Sequence, residues 1–234
     1  MISLRSLTAG YGKLEILQAL TLEFAARQFS ALLGPNGSGK STLLKAIMGS
    51  NRIFGGSITL DGRELVGLPT EAIARQGIAY VPQSRNIFDA LSVGENLQLG
   101  AGRLAREERS AALDEIHSAF PILARRLGQA AGSLSGGERQ MLAIAIAWLA
   151  RPRVMLLDEP SAGLAPAVAG EVFQALQALR QAGITLVVVE QNARRALEYC
   201  DYAFVLREGQ LAFAGSAADC LNDEDTVRGY LGFG

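Results

Sequence analysis

The chain is poor in the residue types that mark several specialised classes of protein. Its 234 residues include two cysteines, Cys200 and Cys220, whose separation fits neither a metal-ligand nor a redox motif. We expect them to be reduced thiols of a cytosolic protein. The one histidine, His117, lies in a charged helical stretch and is expected to face solvent or pack as a structural residue.

Long apolar runs and an excess of one charge are also missing. The longest apolar run, Met141 to Ala150, is too short to span a bilayer and lies between Arg139 and Arg151, which favours a buried helix. The N-terminus shows no charged region followed by a long apolar block, so no secretory signal is expected. A net charge of −1 with scattered Lys and Arg argues against a nucleic-acid-binding surface. A hydrophobic content of 49% excludes global disorder.

One glycine-rich stretch joins a predicted strand, Phe29 to Leu33, to a predicted helix. Its glycines allow a backbone path that a Cβ would obstruct, so successive N–H groups can cradle phosphates at the helix N-terminus. Lys40 is placed to reach the β- and γ-phosphates, and the hydroxyl of Ser41 to ligate Mg²⁺. The spacing is that of the Walker A motif, G-x-x-x-x-G-K-[ST]. The residues predicted to bind nucleotide here are Gly34, Pro35, Asn36, Gly37, Ser38, Gly39, Lys40, Ser41 and Thr42.

Two adjacent carboxylates, Asp158 and Glu159, follow the apolar run Val154 to Leu157. Open α/β sheets present their ligand sites at the carboxyl ends of strands. Asp158 is therefore predicted to bind Mg²⁺, directly or through water. Glu159 is predicted to orient and deprotonate the water that attacks the γ-phosphate.

Two further segments carry candidate binding residues. Ser135 is placed to cap a helix whose N–H groups Gly136 and Gly137 would expose, which predicts a second anion site. A plain helix cap with a glycine turn is the alternative there. Tyr11, held between two glycines, either packs on the sheet as a turn residue or stacks on a nucleotide base.

Periodicity predicts an α/β chain with a helical insertion. Alternating runs in residues 2–33 predict half-buried strands, and the apolar runs at 154–157 and 184–189 predict strands buried on both faces of a parallel sheet. From Ser92, which forms a predicted capping box with Glu95, to Trp148 the strand signal disappears. That block is predicted to be helical.

Shorter elements are predicted from glycine and proline positions. Gly55-Gly56 is predicted to be a turn before a strand at 57–60, Pro121 to break a helix at 106–117, and Gly132 to Gly137 to form a loop. The other predicted elements are helices at 70–75 and 167–182, a strand at 78–81, a hairpin at 202–213 and a helical tail at 217–231.

In chain order, the Walker A motif, Gln83 after a strand, Leu-Ser-Gly-Gly-Glu at 134–138 and the Asp158-Glu159 pair resemble the ATP-binding-cassette (ABC) ATPases over essentially the whole chain. The resemblance implies an α/β fold: a P-loop NTPase core, an N-terminal antiparallel β subdomain and an inserted α-helical subdomain. It implies one nucleotide-binding domain over 1–234, with β and core parts at 1–91 and 151–234 and the helical subdomain at 92–150.

The resemblance also implies ligands and roles. Tyr11 is similar to the adenine-stacking aromatic of the family, and Ser135 to Gly137 resemble the signature that grips the γ-phosphate across a head-to-tail dimer. Two subunits would then enclose two ATP molecules. Gln83 resembles the residue that senses Mg²⁺ and the transporter, so the implied metal ligands are Ser41, Gln83 and Asp158.

Two positions depart from the usual family pattern. Gln191 stands where most cassettes carry a histidine that contacts the γ-phosphate, and loop 161–166 has alanine where many carry aspartate. Gln191 is predicted to be catalytic through a neutral hydrogen bond, the alternative being that it caps the helix starting near Asn192. With Ile87-Phe88, these departures are similar to the ATP-binding subunit of bacterial branched-chain amino acid importers.

This resemblance implies an ATPase subunit that drives uptake of branched-chain or related amino acids. The implied partners are a second ABC ATPase subunit in a homo- or heterodimer, permease subunits and, indirectly, a periplasmic solute-binding protein, with no nucleic acid. The implied location is the cytoplasmic face of the inner membrane. Alternatives are the same ATPase serving urea, amides or another solute, and a regulatory clamp on nucleic acid or the ribosome. Clamps usually carry paired cassettes or long coiled insertions, which this sequence lacks. A GTPase is not expected either, because the sequence has no Asn-Lys-x-Asp motif for reading guanine.

Overall fold

A computed structural model describes residues 1–84 and 86–223. Its strands form a four-stranded sheet of order β2-β1-β4-β5 and a six-stranded sheet of order β10-β9-β3-β8-β7-β6. The first sheet is antiparallel and contains β1 (Ile2–Tyr11), β2 (Leu14–Phe24), β4 (Arg52–Leu60) and β5 (Arg63–Glu64). The second contains β3 (Phe29–Leu33), β6 (Ile78–Val81), β7 (Val154–Asp158), β8 (Thr185–Val189), β9 (Tyr202–Arg207) and β10 (Gln210–Ser216).

In the six-stranded sheet all neighbouring strands are parallel except β10, which pairs antiparallel with β9 as the predicted hairpin. Every residue of β7 and β8 is buried, which confirms the prediction of strands covered on both faces. The prediction that residues 29–33 form a half-buried strand is wrong, because β3 lies between β9 and β8 inside the sheet and all its residues are buried. Along β3, Phe29 and Leu33 belong to one hydrophobic cluster and Leu32 to the other. The two clusters therefore lie on opposite faces of this sheet, because successive side chains of a strand alternate.

The helices agree with most of the predicted ones. They are α1 (Lys40–Ile47), α2 (Thr70–Arg75), α3 (Val93–Gly100), α4 (Arg106–Ala119), α5 (Pro121–Ala124), α6 (Gly136–Leu149), α7 (Pro166–Gln181), α8 (Ala193–Tyr199) and α9 (Ala217–Asn222). Between β6 and β7 the described residues contribute helices and turns but no strand to either sheet. None of the described helices is long and apolar enough to cross a membrane.

Three local predictions need correction. Gly55-Gly56 is not a turn but lies inside β4, where Gly56 has φ +85° and a Cβ would overlap the Ser6 carbonyl oxygen of β1. The two glycines lie where the pairing of β4 with β1 shifts in register. Pro121 opens α5 instead of only ending α4, because proline is tolerated at a first helical position. The predicted loop at 132–137 ends early, since α6 begins at Gly136.

The two cysteines and the histidine occupy buried or partly buried positions in the fold. Cys200 and Cys220 are buried free thiols, and burial raises their pKa to about 12 and about 11 respectively. His117 lies partly buried in α4. The predicted helical tail is observed as α9, and its continuation from 224 to 231 lies outside the described residues.

Candidate nucleotide-binding and catalytic site

The carboxyl ends of β3, β7 and β8 lie side by side, because Leu32 and Asp158 both pair with Val189. The loop after β3 runs from Gly34 into α1. Gly34 has φ +137°, and a Cβ there would overlap the Leu206 carbonyl oxygen. Only glycine therefore fits this start of the phosphate-binding loop.

The loop surrounds a concavity that contains most of the predicted nucleotide ligands. It is lined by Tyr11, Ile16, Asn36, Gly37, Gly39, Lys40, Ser41, Thr42 and Glu159. Inside the loop, Ser38 N–H donates to the Pro35 carbonyl at 3.2 Å, and the Ser38 hydroxyl is buried with no hydrogen-bond partner among the described residues. The first three residues of α1, Lys40 to Thr42, line the same concavity, and the first N–H groups of a helix have no intrahelical acceptors.

Lys40 is buried, with 5% of its surface exposed. Its Nζ donates to the carbonyl oxygens of Gly34 at 2.8 Å and Pro35 at 2.9 Å. Burial lowers the pKa of Lys40, and the nearby charges of Glu159 and Asp158 oppose that shift. The arrangement holds one cation between the loop and the two carboxylates that follow β7.

Asp158 is held through both carboxylate oxygens. Ser41 Oγ donates to Oδ1 at 2.7 Å, and the Tyr80 hydroxyl donates to Oδ2 at 3.2 Å. Burial and the charge of Asp158 raise the pKa of Tyr80, so its phenol stays a donor. The sequence analysis missed Tyr80, whose only signal is its place near the end of a strand next to β7. Two oxygens predicted to ligate Mg²⁺, those of Ser41 and Asp158, are thus adjacent.

Glu159 follows β7 with φ +50°, a conformation uncommon for a residue with a side chain. Its N–H donates to the Val189 carbonyl at 3.0 Å. Gln83 Nε2 donates to Glu159 Oε2 at 2.8 Å. The structure therefore brings the predicted metal ligand Gln83 to the predicted base, and Glu159 lines both the loop concavity and a second concavity that includes Gln83.

Tyr11 ends β1 and lies at the rim of that concavity. The residue is 43% exposed, and the centroid of its ring lies 5.9 Å from Lys45 Nζ. The residue is not buried against the sheet, as its interpretation as a turn residue would require. Its stacking role remains a prediction, and an exposed ring at the mouth of a phosphate-binding loop is well placed for it.

Ser135, Gly136 and Gly137 begin α6 and do not line the loop concavity, but Gly136 lines a second concavity that also includes Gln83 and Glu159. The Ser135 hydroxyl accepts from the Glu138 N–H at 3.4 Å, and Ser135 is exposed, as is Gly136. Gly137 is buried, and a Cβ on it would overlap Val168 of α7. Gly136 is therefore exposed at this helix end, and its role in binding an anion stays a prediction, whereas Gly137 allows close helix packing.

The segment after β8 combines a buried acid with an exposed amide. Glu190 is 2% exposed, and its Oε1 accepts from the Ser161 N–H at 3.0 Å, which ties β8 to the loop after Glu159. Burial raises the pKa of Glu190. Gln191 is exposed, and the side chain that caps α8 is that of Asn192. Sequence reasoning missed Glu190, although an acid directly after a fully apolar strand is a usable signal.

Comparison with known proteins gives consistent matches over nearly the whole chain. A model of the ABC transporter family matches residues 17–162. The chain is 40% identical to the high-affinity branched-chain amino acid transport ATP-binding protein BraG of Pseudomonas aeruginosa, over 99% of this chain and 100% of the relative. It is 42% identical to the probable branched-chain amino acid transport ATP-binding protein LivF of Archaeoglobus fulgidus, over 96% and 95%. Identity to the lipopolysaccharide export system ATP-binding protein LptB of Escherichia coli is 34%, over 99% and 97%.

Solved structures share the fold. The chain superimposes on cbiO1 of Clostridium perfringens, described as part of the cbiONQ transporter complex, with a TM-score of 0.86 and 25% identity over 97% of this chain and 93% of that one. It superimposes on the dimeric ABC transporter cassette MJ0796 with a TM-score of 0.81 and 26% identity, over 93% and 99%.

Proposed function

Because the chain belongs to the ABC transporter family, whose cassettes hydrolyse ATP, we propose that it powers an importer of branched-chain amino acids. The observation that carries the proposal is the 40% and 42% identity, nearly end to end, to two ATP-binding proteins named for that transport. The 34% identity to LptB makes an export role the weaker alternative.

In the proposed chemistry, Lys40 and the N–H groups of the loop from Gly34 to Thr42 bind the triphosphate. The adjacent oxygens of Ser41 and Asp158 suit a hard divalent cation, and Mg²⁺ bound there would offset the charge of the β- and γ-phosphates. Gln83, the third predicted metal ligand, also holds the carboxylate of Glu159. Glu159 accepts the proton of the water that attacks the γ-phosphate, and Gln191 donates a neutral hydrogen bond to that phosphate.

Two chains would form the working ATPase in a head-to-tail dimer. Lys40 and the signature residue Gly136 line different concavities of one chain, which have Glu159 in common, and we expect a second chain to bring its own signature over the loop at Lys40. The solved cassette that this chain resembles is itself a dimer. The partners we propose beyond that dimer are permease subunits and, through them, a periplasmic solute-binding protein. The proposed place of action is the cytoplasmic face of the inner membrane.

The transported solute can be tested by reconstitution. The chain would be assembled in proteoliposomes with the permease and ATPase subunits encoded beside it, and ATP-dependent uptake of labelled leucine, isoleucine and valine would be measured. We expect saturable uptake that a Glu159→Gln variant abolishes. Uptake of urea or short amides without uptake of leucine would overturn the assignment of the solute and leave the ATPase intact. A chain that binds none of these permeases would contradict the transport role.

A further inference from the structure

The exposed signature residue Ser135 is held by Glu138, which is three residues further along α6. The Ser135 N–H donates to Glu138 Oε2 at 2.9 Å, while the Glu138 N–H donates back to the Ser135 hydroxyl at 3.4 Å. This reciprocal capping box fixes the first turn of the helix. It also places a carboxylate beside a helix end that is proposed to bind the triphosphate of another subunit.

A cation lies against that carboxylate. Arg126, in the turn after α5, contacts Glu138 Oε1 at 3.0 Å through Nη2. Its Nη1 donates to Gln129 Oε1 at 2.9 Å, and Gln129 in turn donates to the Ser133 hydroxyl at 2.9 Å. Arg126 is therefore connected to Glu138, which follows Ser135, and through Gln129 to Ser133, which precedes it.

The ion pair is better shielded than most pairs at a surface. The side chain of Glu138 is 15% exposed and that of Arg126 is 37% exposed. Although burial opposes ionisation, hydrogen bonds from Ser135 and the charge of Arg126 hold the pKa of Glu138 below its usual value. The segment that carries Arg126 is itself fixed, because the Leu127 and Gln129 carbonyl oxygens accept from the first N–H groups of α3.

The same chain contains a capping box without this cation. At the start of α3, Glu95 Oε2 accepts from both the N–H and the hydroxyl of Ser92 at 2.8 Å. Glu95 has no ion-pair partner among the described residues. A serine and a glutamate are therefore enough to cap a helix here. The arginine at α6 must serve something other than capping.

We propose that Arg126 is a positioning residue for the signature: it neutralises and orients Glu138 so that the Ser135 hydroxyl can donate to the γ-phosphate held by the opposite subunit. This inference rests on the proposed head-to-tail ATPase. An uncompensated carboxylate next to the bound triphosphate would repel it, and a mobile one would release Ser135 from its fixed orientation. Arg126 offsets the charge of Glu138 and restricts its motion, and it does so without contacting the nucleotide.

The test compares Arg126→Gln with Arg125→Gln, a substitution of the exposed neighbouring arginine. We expect Arg126→Gln to lower kcat by about threefold to tenfold while ATP affinity of the isolated chain changes less than about twofold. Arg126→Lys should recover most of the turnover, and Arg125→Gln should match the wild type. Glu95→Ala, which removes the acceptor of the Ser92 N–H at the start of α3, shows whether loss of helix capping alone changes turnover. A kcat for Arg126→Gln equal to that of the wild type would overturn the proposal.

A mixture of variants separates a positioning role in the opposite site from damage to the chain itself. In a dimer of Arg126→Gln and Lys40→Ala chains, the one intact loop meets a signature with its own Arg126. Activity per intact Lys40 should therefore rise toward the wild-type value. If it does not rise although a mixture of Ser135→Arg and Lys40→Ala does recover activity, Arg126 acts within its own chain and the inference is wrong. If neither mixture recovers, the head-to-tail site itself fails and the inference fails with it.

Discussion

At the scale of single residues, the contact between Gln83 and Glu159 allows a clean test of the proposed base. Glu159→Gln preserves the length of the side chain and an oxygen for the Gln83 amide but removes the proton acceptor. We expect hydrolysis to fall about a hundredfold or more, with ATP still bound, because the carboxylate acts on water and not on the nucleotide. Steady-state phosphate release and nucleotide affinity would be measured, with Glu171→Gln on the exposed face of α7 as control. Near-normal turnover would remove Glu159 from the mechanism.

The neighbours Gln191 and Asn192 separate catalysis from stability. Asn192 Oδ1 accepts the Arg195 N–H at 3.1 Å and caps α8, whereas the Gln191 side chain is exposed. Gln191→Ala should lower turnover by less than Glu159→Gln does and leave the melting temperature and ATP affinity nearly unchanged. Asn192→Ala should instead lower stability by about 1 kcal/mol. Steady-state hydrolysis and thermal melting of both variants decide between them, and unchanged turnover in Gln191→Ala would leave it without a catalytic role.

Residues whose signal is local were predictable from the sequence, and residues defined by a distant partner were not. The spacing of its glycines and lysine predicts the loop from Gly34 to Thr42. The position of Asp158 and Glu159 directly after an apolar strand predicts that acidic pair. Tyr80 reaches Asp158 across 78 positions in sequence. That contact depends on which strands are neighbours and in what register, and a single sequence does not state this.

At the scale of secondary-structure elements, Glu190 connects β8 to the loop that follows Glu159. Burial raises its pKa in the folded chain, so the stability it contributes is present below its unfolded pKa and is lost as pH rises through the folded value. Glu190→Gln retains an acceptor for the Ser161 N–H and cannot ionise. The melting temperature of this variant relative to the wild type should therefore increase by a few degrees between about pH 4.5 and about pH 8.

Thermal melting followed by circular dichroism across that pH range measures the effect. Glu198→Gln, on an exposed position of α8, controls for removal of one negative charge. A melting-temperature difference for Glu190→Gln that stays flat with pH would show that burial does not control the ionisation of Glu190.

The elements that sequence reasoning placed well are those with an unambiguous period or boundary. The apolar runs of β7 and β8 and the capping box at Ser92 each admit one interpretation. Gly55-Gly56 was misread because a glycine pair marks a turn and an irregular strand pairing equally well. The pairing with β1 distinguishes a turn from an irregular strand, and a short stretch of sequence around the glycines does not reveal that pairing.

At the scale of the whole molecule, the proposed mechanism depends on the separation between the phosphate-binding loop and the signature. In that proposal each chain contains both halves of an ATP site, and their residues Lys40 and Gly136 line different concavities that have Glu159 in common. A second chain in head-to-tail arrangement would join both pairs at once, which is what a two-fold symmetric dimer provides. ATP hydrolysis would then depend on the concentration of dimers. Variants of the ATP site would fall into two classes, those that damage the phosphate-binding loop and those that damage the signature.

The most direct measurement of that claim is ATP hydrolysis by a mixture of Lys40→Ala and Ser135→Arg chains, each inactive alone. Lys40→Ala should lose nucleotide affinity, whereas Ser135→Arg should bind ATP at its own loop. A mixed dimer would contain one intact site, so an equal mixture should recover up to about a quarter of wild-type activity at concentrations where dimers form. A mixture that stays as inactive as its separate components under those conditions would contradict the composite site.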